Sequence, residues 1–215
     1  MKKPLVLIGG GGHCKSCIDV IRMGAEFEPV GIVEHAGFEM NAEPVRISGV
    51  PVIGTDDQLK EIIHQFPDFL ITVGQIKTPA ARITLFNTIR ALGGHFPVVI
   101  SPLAHVARGV TIREGTIIMH HALVNTEAVI GQNCIINTGA LIEHESSVGD
   151  FVHISTKAIV NGQCIVGDRT LIGSGTVLAN NVSVAPDSLV SAGSVVLKSL
   201  NRPGTYIGNP LRKIR

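Results

Sequence analysis

Tryptophan is absent from this chain of 215 residues, tyrosine occurs once, and aromatic residues together make up 4%. A core built on large rings is thereby excluded, and Val, Ile, Leu and Ala must fill the interior. Charge is scarce as well. Asp, Glu, Lys and Arg amount to 16%, the formal net charge is +1, and the longest basic cluster is Arg212–Lys213 with Arg215. So little clustered positive charge gives no nucleic-acid footprint. No apolar run approaches the length of a membrane span. The opening MKKPLVLIGGGGH has two lysines and a short apolar run, but the run ends in four glycines. It reads as a first β-strand and not as a signal peptide. The expectation is a cytoplasmic protein with neither membrane nor nucleic acid as partner.

Cysteine is limited to four residues. Cys14 and Cys17 form a C-x-x-C, which is either a redox pair or two small residues on one helix. No thioredoxin-like surroundings accompany it, so packing is the preferred reading. Cys134 and Cys164 occupy repeat positions held elsewhere by Ala, Ser, Thr or Val, and read as small core fillers.

What the chain has in abundance is glycine, 24 residues, and a strict repeat. From Val106 to Val196 every sixth residue is aliphatic, without exception or insertion. Four residues after each lies Ala, Cys, Ser, Thr or Val, from Val110 to Ser194. A helix of 3.6 residues per turn cannot give a period of six, and a two-sided strand would give a period of two. Short strands joined by tight turns and wound as a parallel β-helix do give it. Three hexads make one triangular coil, with the aliphatic residue inward and the small residue near the corner. Gly131, Gly149, Gly167 and Gly173 each follow an aliphatic position, where turning of the backbone is expected.

The first half alternates strands and helices. Residues 4–10 read as a buried strand, 13–24 as a helix closed by Gly24, Pro29–Val33 as a second strand, and VPVIG as a short third. Thr55 or Asp56 is a candidate N-cap for the next helix; FLITVG is a strand and Pro79–Leu92 a helix. This order implies a parallel, Rossmann-like sheet. The domains are expected at 1–100 and 101–215, the second ending in a short tail. Ligands bind such sheets at the C-terminal strand ends. There the Gly9–Gly12 loop could bring N–H groups to a pyrophosphate, although the full G-x-G-x-x-G is missing; a plain tight turn is the less favoured alternative. Glu34 ends the second strand, about where an acidic residue grips a ribose hydroxyl. A nucleotide or nucleotide sugar is the expected ligand, and the sheet is too short for a dehydrogenase.

Few residues of the β-helix can do acid–base work. The best group is Glu143-His144-Glu145, charged residues at a turn of an apolar coil. His144 could accept a proton near neutral pH; the alternative is a solvated surface histidine. Successive residues of a strand point apart, so a contact between His144 and Glu145 needs a turn or a second chain. His120–His121 hints at a metal, but adjacent strand residues face opposite ways, and no metal is expected. No G-x-S-x-G elbow supports a hydrolase triad.

Together, GGGGH near the start, INTGALIEHESSVGDFVHIS in the repeat and YIGNPLRKIR at the end resemble the sugar O-acyltransferase family. This is the group of the sialic acid O-acetyltransferases and the bacillosamine-pathway N-acetyltransferase (NeuD/PglD type), within the hexapeptide-repeat acyltransferase superfamily. The resemblance covers nearly the whole chain, and the middle motif is its most specific part. It implies a left-handed β-helix, a homotrimer, a nucleotide sugar held by the first domain, and acetyl-CoA along the β-helix. It implies that His144 is the general base with Glu145 supporting it, and that Asn137 lies near the acceptor group. His153, Gly162, Ser174 and Ala192 stand where relatives meet acetyl-CoA. Gly11, Gly12 and His13 match the sugar-nucleotide loop. Glu34–His35 stands where relatives often carry two acidic residues, which leaves the nucleotide base open. Leu211 replaces a small residue after Gly-Asn-Pro.

The expected reaction is direct acetyl transfer to the amine of a nucleotide-linked 4-amino-4,6-dideoxy sugar. O-acetylation of a sialic acid or related glycan is the nearest alternative. A non-catalytic nucleotide-sugar-binding trimeric scaffold is a further one, opposed by the EHE and GNP segments. Carbonic anhydrases share the β-helix but need zinc histidines at coil spacing, and the histidines of the repeat offer no clear set.

Overall fold

The computed structural model describes residues 1–39, 45–209 and 211–214, the side chains of Leu211 and Arg212 excepted. Pro210, Arg215 and the Leu211 side chain of the C-terminal motif thus lie outside the described residues. The chain forms two compact units, 1–74 with 80–97, and 75–79 with 98–215.

In the first unit β1 (Lys3–Ile8), α1 (Gly12–Met23), β2 (Phe27–Glu34), β3 (Arg46–Ile47), β4 (Val50–Thr55), α2 (Leu59–Gln65), β5 (Phe69–Ile71) and α3 (Ala80–Ala91) follow in order. The sheet runs β3-β4-β2-β1-β5. The strands β4, β2, β1 and β5 are parallel, as the alternating pattern requires. Leu5, Val6, Leu7 and Ile8 are all buried, the run expected of a parallel strand covered on both faces. The antiparallel edge strand β3 was not legible in the sequence. It is a two-residue arm of a hairpin whose turn, Ser48 (φ +47°) and Gly49 (φ +81°), has the sign pair that suits strand twist. Thr55 caps a 3-10 turn, Asp56–Gln58, that leads into α2: its N–H donates to Gln58 Oε1 at 3.1 Å, and its hydroxyl meets Asp57.

The winding reverses between β2 and β5 on either side of β1. That is the switch point at which open α/β sheets hold ligands. The Gly9 turn sits there against the chain that leaves β5. A Cβ on Gly9 would lie 2.6 Å from Val73 Cγ2, and its φ is +91°, so both space and backbone demand glycine.

The second unit is a left-handed parallel β-helix of three stacked sheets. The first face carries Ile117, Ile135, His153, Leu171 and Leu189 outward; the second His105, Leu123, Leu141, Ile159, Val177 and Val195; the third Thr111, Val129, Ser147, Ile165 and Ser183. The hexad aliphatics point inward, and from Ile118 to Val196 every one is buried. Residues one coil apart are in register, so aliphatic stacks on aliphatic: Ile136 on Ile118 and Ile154, Val166 on Val148 and Val184, Ile142 on Val124 and Val160. Each such side chain adds about 1.5–3 kcal/mol by leaving water.

The small residues satisfy corner backbone as well as filling space. Thr116 Oγ1 donates to Gly131 O (2.7 Å), Ser146 Oγ to Asn161 O (2.9 Å), and the Cys134 and Cys164 thiols to Gly149 O and Ala179 O (3.0 Å each). The glycines after the aliphatic positions correct the expectation of a turning role. Positive φ falls instead two residues later, at Asn133, Phe151, Arg169 and Gly175. Gly131, Gly149, Gly167 and Gly173 are required by close approach. A Cβ on Gly131 would meet Gly149 O at 2.5 Å, and one on Gly173 would meet Ala192 N at 2.4 Å.

Candidate active site

His144 and Glu145 stand on the corner between the second and third faces. Glu145 has φ +58°, and this left-handed residue turns the carboxylate back onto its neighbour. His144 Nδ1–H donates to Glu145 Oε2 at 3.0 Å, within one chain. The turn is therefore what makes the contact that an extended strand forbids. With the proton on Nδ1, Nε2 carries the lone pair. Glu145 Oε2 also accepts Gln163 Nε2–H at 3.1 Å. The His144 contact first, and Gln163 second, hold the Glu145 carboxyl below its ordinary pKa. Glu143 Oε2 accepts Asn125 Nδ2–H (2.9 Å) and the His144 N–H (3.3 Å). Gly162 lies one coil beyond His144, buried beneath the ring: a Cβ there would be 2.7 Å from Nε2. The side chains of His144 and Glu145 are about half exposed, at 46% and 47%. The arrangement is an accessible imidazole with a fixed tautomer, suited to taking one proton.

Asn137, His153, Ser174 and Ala192 belong to the first face and its corner with the second. His153 is 8% exposed. Its Nδ1–H donates to Gln75 O (2.9 Å), and its Nε2 accepts Asn137 Nδ2–H (3.0 Å). The amide of Asn137 is oriented by the Thr138 N–H, which donates to Asn137 Oδ1 at 2.8 Å. A carbonyl on one side and an amide donor on the other select one tautomer of the His153 ring. Ser174 Oγ is 3.1 Å from Ser155 Oγ, and Ala192 is exposed farther along the same corner. The left-handed residues of this corner are His121, Gly139, Lys157, Gly175 and Gly193, so its later coils turn on glycine. The structure thus brings His144, Glu145 and Gly162 together on one corner, and Asn137 and His153 together elsewhere on the same unit.

In the α/β unit Gly11 and Gly12 are exposed at the start of α1, and a Cβ on either would meet nothing within 4 Å. Gly11 is the N-cap without a side-chain cap bond. His13 Nε2 is 3.4 Å from Cys17 Sγ, one helical turn on. Glu34 Oε1 accepts the Gly10 N–H at 3.0 Å, so the carboxylate at the end of β2 ties down the glycine loop. His35 Nδ1 accepts the Gly37 N–H at 3.2 Å. Asp56 joins this rim; burial first, offset by His35, raises its carboxyl pKa. Cys14 and Cys17 are fully buried reduced thiols, and burial pushes both upward, Cys17 most. That is the behaviour of packing residues and not of a redox pair.

Sequence reasoning missed three residues. Gln163 could have been found by coil arithmetic, since it lies 18 positions beyond Glu145. Gln75 has no such signal, because its bond to His153 spans 78 residues. Ser101 Oγ meets His120 Nδ1 at 2.6 Å, which gives that histidine a structural partner. Among the described residues no group of three His, Cys, Asp or Glu is placed to hold a metal ion. No helix among them is long and apolar enough to cross a membrane.

Residues 4–88 match the PglD N-terminal domain family. No curated protein matches the chain by sequence. Among solved structures, a histidine variant of perosamine N-acetyltransferase from Caulobacter crescentus, in complex with CoA and GDP-perosamine, is 30% identical. The match covers 99% of this chain and 97% of that one, with a TM-score of 0.87. The acetyltransferase domain of PglB from Neisseria gonorrhoeae, in complex with acetyl coenzyme A, is 27% identical over 100% of both chains, with a TM-score of 0.88. WeeI from Acinetobacter baumannii shares the fold at 21% identity and a TM-score of 0.81, over 99% of this chain and 100% of that one.

Proposed function

Because this chain belongs to the PglD-type sugar acetyltransferases of the hexapeptide-repeat superfamily, we propose that it moves the acetyl group of acetyl-CoA onto the amine of a nucleotide-linked 4-amino-4,6-dideoxy sugar. The observation that carries the reading is the His144–Glu145 pair, with Nδ1 bonded and Nε2 over a side-chain-free Gly162. His144 Nε2 takes the amine proton as the nitrogen bonds to the thioester carbonyl carbon. The tetrahedral intermediate collapses, the C–S bond breaks, and the proton passes to the departing thiolate. No cysteine carries the acetyl group, which accords with four buried thiols.

Acetyl-CoA is assigned to the corner with Ser174 and Ala192, and to His153 and Gly162. The nucleotide sugar is assigned to Gly11, Gly12, His13, Glu34 and His35, with its amine near Asn137. The start of α1 suits a diphosphate. The protein is proposed to be a homotrimer of the cytoplasm. Support for association comes from the second face, whose outward ladder Leu123, Leu141, Ile159, Val177 and Val195 is only half-buried in the single chain. A neighbouring copy on that face would bring the Asn137–His153 region of one chain to the His144 corner of another. Sialic acid O-acetylation remains the alternative in acceptor only.

The test is thiol release from acetyl-CoA with UDP-, dTDP- and GDP-linked 4-amino sugars, beside free and CMP-linked sialic acid. Release with one amino sugar, lost in His144→Ala, is expected. Release with sialic acids alone would overturn the amine assignment.

A further inference from the structure

Gly162 and Gln163, one coil beyond the His144–Glu145 pair, pack against it and bond to it. The Gln163 N–H donates to His144 O at 3.0 Å. Its side-chain Nε2–H donates to Glu145 Oε2 at 3.1 Å, the same oxygen that accepts His144 Nδ1–H. The amide must present nitrogen and not oxygen here, because a carboxylate only accepts. Gly162 meanwhile leaves the space that the His144 ring fills.

The backbone of Gln163 is left-handed, φ +60°, as are Glu127, Glu145 and Asn181 at the equivalent turns of the same corner, and its side chain reaches the Glu145 carboxylate from there.

We infer that Gln163 is a positioning residue of the acetyl transfer, holding Glu145 so that His144 keeps its proton on Nδ1 and its lone pair on Nε2. The inference rests on the reading of His144 as base, but part of its test does not. Gln163→Gly keeps the backbone donor and relieves the left-handed residue, so the thermal midpoint should stay level or rise. Long-range proton–nitrogen NMR of the intact protein, with His144 assigned by its absence in His144→Ala, reports the tautomer directly. The Nδ1–H form should dominate in the parent and give way to a mixture with Nε2–H in Gln163→Gly and Glu145→Gln.

With acetyl-CoA and GDP-perosamine as probe substrates, kcat should fall about 10-fold in Gln163→Gly with both KM values held, the order known for groups that orient a reacting side chain. Gln163→Glu sets two carboxylates face to face and should fall further. In a Glu145→Gln background, Gln163→Gly should cost nothing more. An unchanged tautomer, or a cost that simply adds to that of Glu145→Gln, overturns the inference. An inactive His144→Ala with a parent-like Gln163→Gly sinks it while sparing the base. A fully active His144→Ala sinks the base assignment, and the NMR still decides whether Gln163 sets the tautomer.

Discussion

His144 stands half exposed on a corner, bonded at one ring nitrogen through Nδ1, whereas His153 is 8% exposed on a face and bonded at both nitrogens. The same side chain stands in two settings. A group that must gain and lose a proton needs one committed nitrogen and one accessible one. A group that must hold its neighbours needs both committed. The difference arises from position in the coil: a corner residue can turn left-handed and fold a carboxylate back, while the outward residue of a strand is flanked by its register partners, here Ile135 and Leu171.

The largest effect that could break this contrast is on turnover. His144→Ala should lower thiol release by roughly 10²–10⁴-fold while barely moving the thermal midpoint, because the ring is exposed. A variant that keeps parent turnover would remove the base from the proposal. Gly162→Ala comes next. Its methyl would sit 2.7 Å from Nε2 and push the ring aside, costing about 10–100-fold in kcat for a misplacement of this size. Because the ring tip can move, the fold should survive, and loss of folding in that variant would show the ring to be packed and not poised.

His153→Ala should act the other way round, on stability first. It strips the Gln75 carbonyl and the Asn137 amide of their partner, a cost of about 1–3 kcal/mol. That corresponds to a midpoint lowered by several degrees, on the order of 2–4 °C per kcal/mol for a chain of this size. The midpoint by calorimetry checks this; no change would mean that the buried bonds do not hold the segment.

The smallest effect is at the third corner, where the Arg169 guanidinium bonds Asp187 at 2.7 and 2.9 Å and holds that carboxyl below its ordinary range. A depressed folded-state pKa contributes stability that is complete above the unfolded value and disappears as pH falls through the folded one. Arg169→Ala should therefore cost no more than about 1 kcal/mol at neutral pH, for an exposed pair. The midpoints of parent and variant should converge in acid, and a gap that widens there would reverse the sign. Glu145, also depressed, follows the same rule: its contact with His144 is lost as acid protonates the carboxylate.

The β-helix was legible because its period belongs to the architecture itself. A residue at Ile142 could be placed inward, and stacked on Val124 and Val160, by counting alone. The role of Gly131 and its equivalents was misread, since period does not distinguish a glycine needed for φ from one needed for room. In the α/β unit, β1 and α1 showed their burial pattern, but β3 was too short to carry one. The EHE cluster was visible as charge within an apolar coil. The His144–Glu145 contact was not, because it depends on one φ value that no residue preference sets for glutamate. Gln75 was beyond reach: nothing local ties a loop after β5 to a histidine 78 positions later.

That loop bears on any attempt to exchange or trim parts of this chain. Residues 75–79 interrupt the α/β sequence yet count with the β-helix. A genetic cut near residue 98 would therefore leave the downstream fragment without the carbonyl that receives the His153 proton. Grafting a different α/β module onto the β-helix would have to carry over this pentapeptide, or supply another acceptor in its place. The seam between the modules, in other words, is not a single point in the gene.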